Sequence, residues 1–222
     1  MKKIVSSILL STIALGLGAT AVFAEGVTKT EENQYTTDST VNLLEGEAQP
    51  TAPETKNDAD GTTNQNGPLS IDQVIRFNFE DMHLSGKKQS AKLKTKTDQN
   101  IQVTDLRGTG AGWNLRIKQS PLVDGEKVLK GAVIKLSSPE INGVGDFDRG
   151  LLPDATEYNV TADNKDKAAT IMKAEKDKGM GTWVQNYKAD NITLDIPAGN
   201  LVGNYAGTVT WELSDNPTPP EA

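Results

Sequence analysis

Gly112-Trp113-Asn114-Leu115-Arg116-Ile117-Lys118-Gln119 and Thr208-Val209-Thr210-Trp211-Glu212-Leu213 decide the fold class of this chain. In the first stretch Trp113, Leu115 and Ile117 alternate with Asn114, Arg116 and Lys118. In the second, Val209, Trp211 and Leu213 alternate with Thr210 and Glu212. Successive side chains of a strand point to opposite sides, so a period of two places each Trp-x-Leu pair on one face of a strand. A core position for Trp113, Leu115, Trp211 and Leu213 is favoured over exposed ligand contact, because burying each pair stabilises at roughly 25 cal/mol per Å² of apolar surface.

The same texture extends outward from these two runs. Short β-prone segments at 74–79, 101–106, 113–119, 128–136, 168–173, 182–185, 192–196 and 208–213 are separated by Gly, Asn, Asp and Pro clusters. Residues 163–178 are rich in Ala, Lys and Glu and form the one fair helix candidate, although 168–172 read equally as a strand. Sheets with one apolar and one polar face pack in pairs or close into barrels, so the expected fold is all-β, a β-sandwich-like single domain over 68–222. Gly108, Gly110 and Gly112 predict a tight loop feeding the first triplet. No helix follows that loop, which argues against a phosphate-binding site.

Upstream, residues 25–67 carry nine acidic and two basic side chains and little apolar sequence, so they are expected to form a disordered acidic linker. Residues 1–24 read as a signal peptide: Lys2 and Lys3 precede an apolar run, and Val22-Phe23-Ala24 suits cleavage after Ala24. No later segment approaches membrane length, so no transmembrane segment is expected in the mature chain. There is no cysteine, so an exported chain of this kind relies on its core rather than on disulfides. Residues 68–222 carry twenty-one acidic and nineteen basic side chains, a near balance that gives no reason to expect nucleic-acid binding.

Catalytic equipment is thin. The sole histidine, His83, and the lack of cysteine leave a zinc site short of ligands, and there is no Gly-x-Ser-x-Gly elbow for a serine nucleophile. No enzyme activity, metal or cofactor is expected. The loop 142–148 gathers Asp and Gly but lacks the spaced oxygen ligands and closing Glu of a calcium loop, so a solvated turn is the better account. Lys92, Lys94 and Lys96 alternate, which would make one strand face positive toward anionic polymers, with edge protection by lysine as the favoured reading. Trp183, in a Gly-rich stretch of poor alternation, is the aromatic expected to be most free. A groove edged by Trp183, Tyr187 or Tyr205 would present aromatic faces on which sugar C–H surfaces stack, with simple packing as the favoured reading.

Val103-Thr104-Asp105-Leu106-Arg107-Gly108 leading to Gly112-Trp113-Asn114-Leu115, with Leu129-Lys130-Gly131-Ala132 and Ile134-Lys135-Leu136, resembles the proximal half of the WxL domain of Gram-positive surface proteins. Tyr205-Ala206-Gly207-Thr208-Val209-Thr210-Trp211-Glu212-Leu213, followed by Pro217, resembles that family's distal motif. The resemblance implies non-covalent attachment to the cell wall, with peptidoglycan or another wall polymer as target. It also implies a surface complex with other WxL proteins and with a membrane-anchored WxL-interacting protein. A module that binds such a protein without touching glycan is the alternative.

Overall fold

The computed structural model describes residues 27–155, 158–161 and 168–218. The expected signal peptide at 1–24 lies outside them. Two compact units are present, Met1–Leu43 and Leu44–Ala222. In the described part of the first, β1 (Val27–Glu31) and β2 (Gln34–Thr37) form an antiparallel hairpin whose turn holds Asn33 at a φ of 65°.

The second unit continues with β3 (Leu69–Gln73), β4 (Gln89–Lys92), β5 (Gln99–Asp105), β6 (Trp113–Gln119), β7 (Val123–Asp124), β8 (Lys127–Val128) and β9 (Val133–Leu136). Then come β10 (Glu140–Gly143), β11 (Asp154–Ala155), β12 (Tyr158–Thr161), β13 (Ala169–Ala174), β14 (Gly181–Tyr187), β15 (Ile192–Ile196) and β16 (Val209–Ser214). Three four-stranded sheets result, in the orders β10-β14-β5-β3, β11-β13-β6-β16 and β12-β9-β15-β4, and β7 and β8 form a small ribbon. All these pairings are antiparallel.

The all-β expectation holds, with three sheets contributing to one core. Ile101 and Val103 of β5, Trp113, Leu115 and Ile117 of β6, Ile134 and Leu136 of β9, and Ile192 and Leu194 of β15 meet in a single buried cluster. The alternation read from the sequence is what puts them there. Residues Ala169–Ala174 resolve as strand, so the described part of the ambiguous 163–178 region follows its β reading. The expected strand at 74–79 is displaced: β3 ends at Gln73, and the following residues keep only local pairing, including a bridge between Phe79 and Leu93. No helix among the described residues is long and apolar enough to cross a membrane.

The stretch expected to be unstructured through Gly67 is corrected in part. Residues 44–63 pack along β3 and β5, starting where the Gly46 N–H donates to the Leu106 carbonyl at 2.9 Å. Asn57 is buried and acts as a substitute strand residue: its Nδ2 donates to the Val74 and Asn100 carbonyls at 3.1 and 2.9 Å, and its Oδ1 accepts the Asn100 N–H at 2.8 Å. Gln102 reaches the same segment, its Oε1 accepting the Glu54 N–H at 2.7 Å and its Nε2 donating to the Ala52 carbonyl at 3.1 Å. Composition argued that this segment cannot bury enough apolar area to order itself. It orders by another route, because carboxamides reproduce peptide donors and acceptors, each net bond contributing about 0.5–1.5 kcal/mol.

Candidate functional site

The two Trp-x-Leu triplets lie on neighbouring strands. Leu115 of β6 sits opposite Leu213 of β16, Ile117 opposite Trp211, and Gln119 opposite Val209. Their environments differ, because β6 is central in its sheet and β16 is an edge. Trp113 and Leu115 are fully buried, and the Trp113 Nε1–H donates to the Gly179 carbonyl at 3.0 Å. Gly179 has a φ of +71°, and a Cβ there would lie 2.6 Å from the indole nitrogen and 2.2 Å from the Ala174 Cβ, so only glycine permits this contact. Trp211 and Leu213 are half-buried. Trp211 stacks on Phe77 at 6.2 Å with rings 6° apart, and Phe77 on Phe79 at 6.2 Å and 14°.

A fork of charge holds the loop before β6. Arg107 grips Asp105 with its Nε and one terminal nitrogen at 2.9 and 2.8 Å, and that terminal nitrogen also donates to the Gly112 carbonyl at 2.8 Å. The Asp105 hydrogen bonds raise the Arg107 pKa against the opposing effect of burial. Downstream, Asn114 Nδ2 donates to the Pro217 carbonyl at 3.1 Å, so the proximal motif also ties down the segment after the distal one.

Trp183 and Tyr187, candidates for a groove edge beside the favoured packed reading, are interior residues, each only 1% exposed. On β14, Trp183, Gln185 and Tyr187 share the inward face, with Trp183 opposite Val103 of β5. Gly179 just before this strand and Gly181 at its start hid its period from the sequence reading. The Trp183 Nε1–H donates to the Met180 carbonyl at 3.0 Å, and its ring meets the Phe147 ring edge-on at 5.3 Å and 74°. The Tyr187 hydroxyl accepts from Gln185 Nε2 at 2.8 Å, and burial pushes its pKa up. Neither offers a face to a ligand. Tyr205 is half-buried and does stand at a groove, its hydroxyl donating to the Leu201 carbonyl at 2.9 Å.

That groove has a volume of about 750 Å³. Phe77, Phe79, Leu122 and Tyr205 contribute to its walls, and Asn78, Asn204 and Gln119 add polar groups. Its rim is open to solvent and mixed: Leu84 is 57% exposed, Leu201 63% and Val202 76%, beside exposed Asp81, His83 and Asn204. Exposed apolar side chains gathered at one groove mark a binding site more often than scattered single side chains do. At the floor, Gln119 is 3% exposed and neither its Nε2 nor its Oε1 has a hydrogen-bond partner among the described residues. Sequence reasoning missed Phe77, Phe79 and Gln119, although their proximity to the distal motif through Trp211 and Val209 arises only in three dimensions.

The basic strand face is neutralised. Lys92 pairs with Asp190 at 2.7 Å, Lys94 with Asp81 at 3.4 Å, and Lys96 with Glu80. Asp81 and Glu80 border the groove, so these pairs also bind up its nearest carboxylates. Exposed pairs of this sort contribute little to stability, and β4 is indeed an edge strand. Asp195 differs. Its burial would raise its pKa, yet hydrogen bonds from Lys135, Lys88 and Ser90 outweigh this and hold it down at about 2. Asp148 accepts the Gly150 N–H at 2.8 Å and so caps a short 3-10 turn, Arg149–Leu151, which accounts for one acid of the 142–148 loop.

The sequence matches the WxL domain family, described as surface cell wall-binding, over residues 30–217. No curated protein and no solved structure matches the chain significantly. With both Trp-x-Leu triplets paired across β6 and β16 and the match spanning most of the sequence, the chain belongs to the WxL domain family of surface cell wall-binding proteins.

Proposed function

We propose that the protein is exported through its first 24 residues and held at the cell surface without a covalent link, by binding peptidoglycan in the groove beside the distal triplet. The observation that carries this reading is the groove itself: about 750 Å³, aromatic-walled, rimmed by exposed Leu84, Leu201 and Val202, in a domain of a wall-binding family. A sugar ring presents apolar C–H faces and an equatorial belt of hydroxyls. Aromatic and aliphatic walls with a few amides suit that mixture. Binding without chemistry fits the site, whose acids Glu80 and Asp81 are engaged by lysines.

Membership of a surface complex with other WxL proteins and a membrane-anchored WxL-interacting protein belongs to the same proposal and is supported by family alone. The exposed rim favours a second reading, in which it docks that protein and glycan plays no part. Co-sedimentation with purified, protein-free sacculi separates the two. The wild-type chain should pellet, and the pair of substitutions Leu84→Asp and Val202→Asp should abolish pelleting with an unchanged melting temperature, since both side chains are largely in solvent. Undiminished pelleting of that variant rejects the groove. Failure of the wild type to pellet unless membrane extract is added supports the protein partner, and release of soluble sugar would indicate an enzyme.

A further inference from the structure

Along β6 the inward stripe Trp113, Leu115, Ile117 continues to Gln119. The last position of an apolar core stripe is therefore filled by a primary amide, placed opposite Val209 where the sheet reaches the floor of the groove. Both polar atoms of that amide are buried and unpartnered among the described residues. Leaving them so is unfavourable, because burying an amide without hydrogen bonds sacrifices its hydration and gains nothing in return. Which of the two atoms is oxygen is immaterial, since neither is paired. Because Gln119 lines the groove, a ligand that enters there and shifts the side chains packed over the amide can supply the missing donor and acceptor.

We infer that Gln119 recognises the acetamido group of an N-acetylated amino sugar, a subsite that rests on the wall-glycan reading above. The acetamido carbonyl accepts from Nε2, and an N–H or neighbouring hydroxyl of the sugar donates to Oε1. The acetyl methyl lies against the apolar wall supplied by Phe79 and Leu122, which line the same groove. A bare hydroxylated sugar could satisfy the amide but would leave that wall uncovered. A fatty chain would cover the wall and leave the amide unpaired.

The test compares binding of the whole chain to three preparations of purified sacculi: native, chemically N-deacetylated, and stripped of stem peptides by an amidase. It is run in high salt, about 1 M, so that the new ammonium charges are screened over roughly 3 Å. The wild type should bind native and peptide-stripped walls alike and N-deacetylated walls at least about tenfold more weakly, the scale of one or two hydrogen bonds. Gln119→Met should weaken binding to native walls by a similar factor and lose the response to deacetylation. Its melting temperature should be unchanged or higher, because an unsatisfied amide has been removed; a purely structural Gln119 would instead show a lower melting temperature with unchanged binding.

Equal binding of the wild type to native and N-deacetylated walls overturns the inference while leaving the groove reading in place. Loss on peptide stripping overturns it by assigning the recognised amide to the peptide. No retention on any wall overturns both.

Discussion

Replacing each motif tryptophan with alanine should have very unequal effects, although the two triplets look equivalent in sequence. Trp113 has no exposed surface, and its removal also deprives the Gly179 carbonyl of the indole donor at 3.0 Å. Truncating a buried tryptophan costs about 3–5 kcal/mol, and a buried acceptor left unpaired adds about 1 kcal/mol or more. A total of about 4–6 kcal/mol rivals the whole stability of many domains. At about 2–4 °C per kcal/mol for a domain of this size, the melting temperature should fall by roughly 10–20 °C, or the protein should not fold. Trp211 is half-buried on an edge strand and contributes mainly its stack on Phe77. About half the transfer term, or ~2 kcal/mol, is lost there. Calorimetric or urea unfolding of the two variants side by side measures the difference. Equal losses, or a larger loss for Trp211→Ala, would refute the assignment of the first triplet to the core and the second to its margin.

Gly179→Ala should cost at least about 3 kcal/mol in urea unfolding, since a φ of +71° is strained for alanine and its Cβ would collide with Ala174 and the Trp113 indole. Asp195 has its folded-state pKa lowered from 3.8 to about 2. It therefore contributes roughly 2 kcal/mol at neutral pH, fully present above about pH 4 and lost as pH falls through about 2. Asp195→Asn should remove that acid-side dependence from unfolding curves measured between about pH 2 and 5. A chain beginning at residue 68 should unfold at lower urea than one beginning at residue 44, because it lacks the Asn57 and Glu54 contacts to Asn100 and Gln102; equal midpoints would mean the 44–63 segment contributes nothing.

Strands whose inward residues alternate without interruption were legible. Trp113–Gln119 and Ile192–Ile196 have the bounds that their pattern predicts, and β16 differs by a residue at each end. Where glycine or lysine breaks the pattern, legibility failed. Trp183 follows Gly179 and Gly181 and looked free, and β4 was hidden among lysines although Ala91 is buried in it and Leu93 just after it. The ordered 44–63 segment escaped for a different reason. Its stability comes from carboxamide pairs with partners up to fifty residues away, such as the one between Ala52 and Gln102, and no local composition encodes those. The groove was legible only at Tyr205. Its other walls come from Phe77, Phe79 and Leu122, which are brought together by the sheet packing rather than by any motif.

Titration of the isotope-labelled protein with soluble N-acetylated wall fragments, followed by NMR shift mapping, tests the central claim most directly. Shifts concentrated at Phe77, Phe79, Gln119, Leu122 and Tyr205, with Trp113 and Trp183 unmoved, are the predicted result. Saturable shifts that map to another face of the domain would contradict it.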